Sequence, residues 1–522
     1  MAIINGRGRV GARPSSGGGG SSYDADALAF FTAASITDTT QMSAVNTLVT
    51  GLKSNNLWTK IKALYPVVGG NSTAHSKNLK NPSQYNLTFT SGWVHSSTGM
   101  LPNGTSAYAS TGIKVSDFAP DSMGLGVYLR TNNDGLFCDI GTSDTSRFQL
   151  LTRYFNNIYS AFSNSNVNAT GAVTDSRGLT TIGRVSTTSR KTFKNGVLKF
   201  TSSETITSTT NISTYDFKIG TTGQPALQWY SNRENSLTVF KLALSDAEES
   251  ILYTLVQAFQ TTLGRHVGVP VVSDSDAQAF LNSANISDLT QASAVNTLVT
   301  SLKSNGLWSK MKAIYPIVGG NATAHSYNLV NTSQYQLSFS TGWTHSSTGM
   351  KPNGTSAYAN TGINPYSIST VNNTHISIYS RTSTVTTAQR DFGAFQGSSN
   401  PCISLGTNSS SFISDAYNYD NNRITATISD ALGLYVGTRT SNVVFKLFKN
   451  GSQIGSTNTN TYSGLLPNLD LYLGSANAGG TINGPSNKQY SYASYGVGLN
   501  DSEVSVLNTI ITTFQTTLGR QV

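Results

Sequence analysis

The sequence states one domain twice. The stretch from Thr40 to Ile113 recurs from Thr290 to Ile363 at a constant offset of 250 residues, with about three positions in four identical. The heptapeptide FQTTLGR then closes both copies, at Phe259–Arg265 and Phe514–Arg520. A unit of roughly 245 residues is far too long for a solenoid repeat and has the size of a whole globular domain. Between the shared blocks the middles diverge. Chemistry common to both copies must therefore sit on shared positions, and chemistry special to one copy in the middles or outside the repeats.

Composition narrows what such a domain can be. Charged residues make up 11% of the 522 residues, against about 25% in ordinary globular chains, while Ser, Thr, Asn and Gly abound. Short alternating segments such as LTFTSGW (87–93), GLGVYLRT (124–131), RFQLLTRY (147–154) and KTFKNGVLKFTSS (191–203) read as strands. Asn195-Gly196 and Asn450-Gly451 are hairpin turns of the kind that needs positive φ twice. Each copy opens with helical spacing: Asp24–Phe31, then Ala44, Val45, Leu48, Val49 and Leu52, then a further turn or two over Leu57–Leu64. Each closes with one helix, Leu244–Phe259 or Leu499–Phe514, where Ser245/Glu248 and Asn500/Glu503 have capping-box spacing. The fold class predicted is mainly β: two tandem antiparallel β-sandwiches, each with N-terminal helices and one C-terminal helix, and outer faces coated with hydroxyls and amides.

The domain plan follows. Residues 1–23 form a basic, Gly/Ser-rich arm that belongs to neither repeat. Residues 24–267 are the first domain, 268–273 a linker stiffened by Pro270, and 274–522 the second domain. In the arm, Ile3, Ile4 and Val10 alternate with Arg7, Arg9 and Arg13, which gives it apolar groups to bury and cations to pair. It reads as an anchoring peptide that orders against a larger assembly. The net charge of +9 comes from scarce acids rather than from a basic face, so nucleic acid is not expected as a partner. No apolar run reaches eighteen residues, so no membrane helix is expected, and MAIINGRGRVG lacks the apolar core of a secretory signal. Cys138 and Cys402, one per copy, read as buried free thiols.

Two resemblances sharpen this. The late Asn-Gly hairpin (RKTFKNGVLKF, 190–200; partner 445–454) and the helix LALSDAEESILYTLVQAF (242–259; partner GLNDSEVSVLN, 498–508) resemble concanavalin A-like or laminin G-like jelly rolls. IKALYPVVGGNSTAHSKNL (61–79) with GWVHSSTGMLPNGTSAYAST (92–111) resembles modules of structural proteins from tailed bacteriophages that infect Bacteroidota. That second resemblance implies a virion component made in the host cytoplasm. It also implies partners among other virion proteins through the arm, and many copies or a homo-oligomer in the particle.

The chemistry of the chain points away from catalysis. Only five glutamates occur, and Glu503 is the only one in the second copy, whereas sugar hydrolysis needs two placed carboxylates. The shared His75/His325 and His95/His345 sit in hydroxyl-rich strings and are expected to bond the backbone of turns. Laminin G-like folds often hold calcium on loop acids. Asp134, Asp139 and Asp144 in one copy, and Asp415 and Asp420 in the other, lack an EF-hand spacing and read as solvated loop acids. No metal or other cofactor is expected, calcium being the one candidate. Tyr154, Phe155 and Tyr159, with Tyr417 and Tyr419, lie in the divergent middles and are the candidate glycan contacts. The expectation is a non-enzymatic virion surface protein, a capsid decoration, head fibre or tail-associated appendage held by its arm, with weak adhesion to glycans. The alternative is an adhesin that recognises host carbohydrate.

Overall fold

The computed structural model describes residues 23–119, 122–143, 147–164, 168–186, 188–203, 215–223, 227–397 and 400–522. All six arm residues named above fall outside them. The chain divides into two compact units, residues 1–259 and 260–522.

Each unit is a β-sandwich whose strand pairs are almost all antiparallel. In the first, one sheet runs Val197–Ser202, Ser189–Lys194, Gly178–Ser186, Met123–Leu129, Asn235–Lys241, Met100–Pro102 and Trp93–His95 in spatial order, and Ile61–Tyr65 also pairs with Asn235–Lys241. The facing sheet runs Asn168–Ala172, Asn157–Asn164, Arg147–Tyr154, Ile140–Ser143, Asp216–Ile219, Ala109–Lys114 and Thr88–Phe89. Between them Leu125, Val127, Ile182 and Phe240 pack with Ile140, Leu150, Phe217 and Ile219.

The second unit shows why one sheet reads as continuously apolar. All seven residues of Thr374–Ser380 and of Tyr490–Gly496 are buried. In the strand Gly433–Ser441, Tyr435 joins the core between the sheets, while Leu434 and Val436 join a second core with helical Leu298, Val299, Leu507, Ile511 and Phe514. The period of two thus sends alternate side chains into two different cores. The helices Ser275–Ala284, Leu289–Ser304 and Asp501–Thr517 cover the outer face of this sheet. That face is therefore covered by helices rather than open to water as predicted, with Ser377, Ser494 and Thr438 buried among its apolar side chains.

Local signals behave as their chemistry requires. Asn195 and Gly196 have φ of 50° and 74°, Asn450 and Gly451 of 49° and 78°, the doubly left-handed turn that keeps strand twist. Each Asn carboxamide also accepts from the neighbouring strand, from Leu179 N at 3.0 Å and from Leu434 N at 2.8 Å. Both capping boxes form: Ser245 N and Asn500 N each donate at 2.9 Å to the glutamate three residues on. One expectation fails. Only Trp58–Lys60 makes a helical turn, and Ile61–Tyr65 is a strand. Its Ala63, Leu64 and Tyr65 pair along Asn235–Lys241 and are fully buried, a tertiary pairing that overrides local spacing.

The copies also fill one buried position in opposite ways. In the first unit Gly124 lies opposite Lys241, and a Cβ on Gly124 would come within 2.7 Å of the Lys241 ammonium. Lys241 pairs at 2.6 Å with Glu249, both fully buried. In the second unit His375 lies opposite Gly496, whose Cβ would meet the imidazole at 2.9 Å. Val504 stands where Glu249 would be. The cation and its carboxylate are present together in one copy and absent together in the other, as the cost of an unpaired buried charge requires.

His375 gives this second unit an acid-labile core. Burial pushes its pKa down from 6.5 to about 4, so the fold holds the neutral ring while the unfolded chain protonates first. The stability it contributes is complete above pH 6.5 and is lost as pH falls from there to about 4. Denaturant unfolding of the second unit is expected to weaken by about 3 kcal/mol over that interval. His375→Gln should remove this share of the dependence and leave the share supplied by His325, which burial also lowers.

Candidate functional site

The two sheets of each unit are tied by a buried carboxylate and cation. In the first unit Asp139, just before the strand Ile140–Ser143, accepts from Arg233 Nη1 at 2.9 Å, Ser231 Oγ at 2.9 Å, and Thr152 N and Oγ1 at 2.9 and 2.8 Å. Arg233 precedes Asn235–Lys241 in the opposite sheet. In the second unit Asp391 accepts from Lys488 Nζ at 2.9 Å, Ser486 Oγ at 2.8 Å and Tyr490 OH at 2.6 Å. The backbone frame is the same, with Gly220 N on Asp139 O and Gly474 N on Asp391 O. Asp139 is thus no solvated loop acid. The constant offset of 250 hid its equivalence to Asp391, because insertions in the middles had already shifted the register.

Arg233 does more than pair with Asp139. Its Nη2 donates to the carbonyls of Arg153 (2.5 Å) and Asn133 (2.9 Å), and Nη1 and Nη2 reach Phe137 O and Gly135 O at 3.4 Å. It therefore holds the loop 133–137 against the hairpin formed by Arg147–Tyr154 and Asn157–Asn164. Arg153 continues outward, donating to Asn132 Oδ1 at 2.8 Å and Asn156 Oδ1 at 2.6 Å, with Asp134 at 3.6 Å.

On this bracing the structure brings three of the predicted aromatic residues together. Tyr154 and Phe155 have ring centroids 4.3 Å apart, and Tyr154 and Tyr159 5.4 Å apart. Phe155 is 69% exposed at the tip, and its own φ of 46° lifts the ring out of the sheet. Asn132, Asp134 and Asn156 are exposed around it, as is Leu136. The arrangement offers one open ring face, Phe155, with the Tyr154 ring tilted 42° against it, rimmed by amides, carbonyls and a carboxylate.

The second unit does not repeat this. Tyr417 is fully buried, with its hydroxyl 2.5 Å from Thr374 Oγ1 and the Arg439 guanidinium 5.5 Å from its ring. Its assignment as a glycan contact is wrong: Phe412 and Ala416 take the core-facing phase of Ser411–Tyr417, and the φ of 77° at Tyr417 breaks the alternation so that its ring is buried as well. Tyr419 is half-buried beneath the Arg423 guanidinium, 3.7 Å from the ring centroid. Arg423 is in turn fixed by Asp415, at 2.6 Å, so Asp415 is a buried ion-pair partner rather than a solvated acid. Asp420 is exposed and Asp144 lies outside the described residues. Among the described residues no three His, Cys, Asp or Glu side chains gather to hold a metal.

The shared histidines bond each other rather than turn backbone. His75 Nδ1 and His95 Nδ1 are 2.9 Å apart, and so are His325 Nδ1 and His345 Nδ1. The short helices Ser72–His75 and Ala322–Ser326 carry the first ring of each pair onto the strands Trp93–His95 and Trp343–Ser346. Burial lowers His325 to about 3 and depresses His95 and His345. The His325 and His345 rings are thus neutral at pH 7 and can share one N–H···N bond.

No protein-family model matches this chain, and no curated protein does. Solved structures with partial likeness include the CBM40 module of the Ruminococcus gnavus IT-sialidase bound to alpha2,3-sialyllactose. It has 17% identity, covers 26% of this chain and 82% of that one, and has a TM-score of 0.22. Domain 4 of an extracellular arabinanase from Geobacillus stearothermophilus, in complex with arabinotriose, has 14% identity, 37% and 98% coverage, and a TM-score of 0.25. Botulinum neurotoxin type C, described with two ganglioside molecules, has 11% identity, 40% and 52% coverage, and a TM-score of 0.29. These are carbohydrate-binding β-sandwich neighbours, and at such scores they carry no argument about residues.

The buried tie makes a sharp stability test. Asp139→Ala strands the Arg233 guanidinium and is expected to cost the first unit about 3–5 kcal/mol in denaturant unfolding. Asp134→Ala, at an exposed position, should stay within about 0.5 kcal/mol of the parent.

Proposed function

We propose that this protein is a non-enzymatic adhesion protein of a bacteriophage particle, in which the first sandwich contacts glycans through the hairpin carrying Tyr154, Phe155 and Tyr159. The observation that supports it is the set of three adjoining rings, with Phe155 two-thirds exposed, on a hairpin braced from below. Aromatic faces of this kind are normally buried in a soluble protein unless something binds them. Rigid aromatics with a polar rim suit a ligand that has an apolar face and hydroxyl edges.

The non-enzymatic part is supported by how the glutamates are used. Glu234 pairs with Arg130, Glu248 with Lys60, Glu249 with Lys241 and Glu503 with Lys310. Each glutamate among the described residues is thus held by a cation. The particle assignment rests on the resemblance of residues 61–79 and 92–111 to phage structural modules and on the composition of the arm. Its placement there, as decoration, fibre or tail appendage, belongs to this proposal.

The cluster of Tyr154, Phe155 and Tyr159 has no counterpart in the second unit, where Tyr366 is half-exposed on the short helix Pro365–Ile368, so the chain is expected to bind one glycan equivalent in spite of its duplication. Replacing Tyr154, Phe155 and Tyr159 together by alanine should abolish binding on a glycan array, while Tyr419→Ala leaves it unchanged. Loss of binding on Tyr419→Ala alone would move the site to the second unit. For the particle, deletion of residues 2–14 should prevent incorporation into virions while both units retain their melting transitions.

A further inference from the structure

We propose that the hairpin site of the first unit selects neutral hexopyranose glycans over acidic ones, an inference that rests on the glycan-contact reading. The charge arrangement at this end of the sandwich is closed. Arg153 is spent on Asn132, Asn156 and Asp134. Arg177 is forked onto Asp175, with Nη2 at 2.8 Å, on the loop whose Ser176 bonds Thr131 O and Asn133 N. Arg130 pairs with Glu234 at 3.0 Å and Arg233 with buried Asp139. Lys194 is buried, with its ammonium on Ser176 O and Thr180 Oγ1, both at 3.1 Å.

Four guanidinium groups thus face four carboxylates, and the lysine beside them is out of reach of solvent. Among the described residues, a sugar carboxylate docking on Phe155 would find these four arginines already paired, and the exposed lysine of this end, Lys199, stands two strands away on Val197–Ser202. It would also approach exposed Asp134, a like charge that costs affinity in a partly desolvated site. A neutral pyranose meets complementary groups throughout. Its C–H face can lie on the Phe155 and Tyr154 rings. Its hydroxyls can accept from the carboxamide nitrogens of Asn132 and Asn156, which have no partner among the described residues, and donate to the Asp134 carboxylate. Recognition of neighbouring hydroxyls needs such mixed donors and acceptors, whereas recognition of a carboxylate needs a fork of donors.

The test is calorimetric titration of the full chain with a neutral galactose- or glucose-terminated oligosaccharide and with its sialylated counterpart. Binding of the neutral sugar is expected at one per chain, weaker by roughly tenfold in Phe155→Ala and kept in Phe155→Trp. Its affinity should change little between low and high salt, since no ion pair forms. Tighter binding of the sialylated sugar would overturn the neutral class while leaving glycan contact standing. Binding of neither sugar would overturn the glycan reading itself. Neutral binding untouched in Phe155→Ala, with an unchanged melting transition, would overturn this site.

Discussion

The structure depends on a carboxylate placed where water cannot reach it. Asp139 in one unit and Asp391 in the other are fully or almost fully buried, and each joins the two sheets of its sandwich. Withdrawing such a group from water costs several kcal/mol, and the cost is offset only when every lone pair finds a donor. The cation, the serine hydroxyl and a third donor from a facing strand supply that set. The reward is specificity of assembly: the loop ends entering the two sheets can meet in one register only, because any other leaves a charge without its partner. Hydrophobic burial makes two sheets stick together, and this contact decides how they are aligned.

The partner of that carboxylate is where the copies part. Arginine presents a planar fork of donors, and Arg233 uses the surplus to collect carbonyls from the loop 133–137 and from Arg153. Lysine presents one compact ammonium, and Lys488 spends it on Asp391, Gln389 and Thr407 within the core. A single exchange of cation thus separates a unit whose end loop is organised outward from one whose polar centre is closed. In the first, the organised loop supports exposed rings. In the second, the corresponding tyrosines are capped by Arg423 or sunk beside Arg439.

Much of the fold was legible because its signals are local. Asn-Gly turns, capping boxes and period-two strands each act within a few residues, and they form as expected. The strand Ile61–Tyr65 was missed because its helical spacing is overruled by a partner about 180 residues away, Asn235–Lys241. The site was half legible. Tyr154, Phe155 and Tyr159 stand out as aromatics in a divergent segment, but nothing in sequence separates them from Tyr417, whose burial follows a left-handed backbone at the end of its strand. The histidine pairs are shared at a fixed spacing of twenty residues, yet only the docking of a one-turn helix on a strand makes that spacing a contact. The equivalence of Asp139 and Asp391 escaped notice for a plainer reason: two inserted residues ahead of them break the constant offset of 250 that would have shown it.

A chain that says one domain twice carries a hazard that a single copy does not, since each strand has a topologically equivalent rival a few hundred residues away on the same polymer. The opposed glycines answer it. Were Thr374–Ser380 to pair with Asn235–Lys241 during folding, His375 would fall opposite Lys241, two large side chains in a space built for one. The converse pairing of Met123–Leu129 with Tyr490–Gly496 would set Gly124 against Gly496 and leave a void. Neither mispaired register can close at the centre of its sheet. A difference of one glycine per copy thus sets the central strands of the two units apart although the chain keeps a long block of near-identical sequence in both.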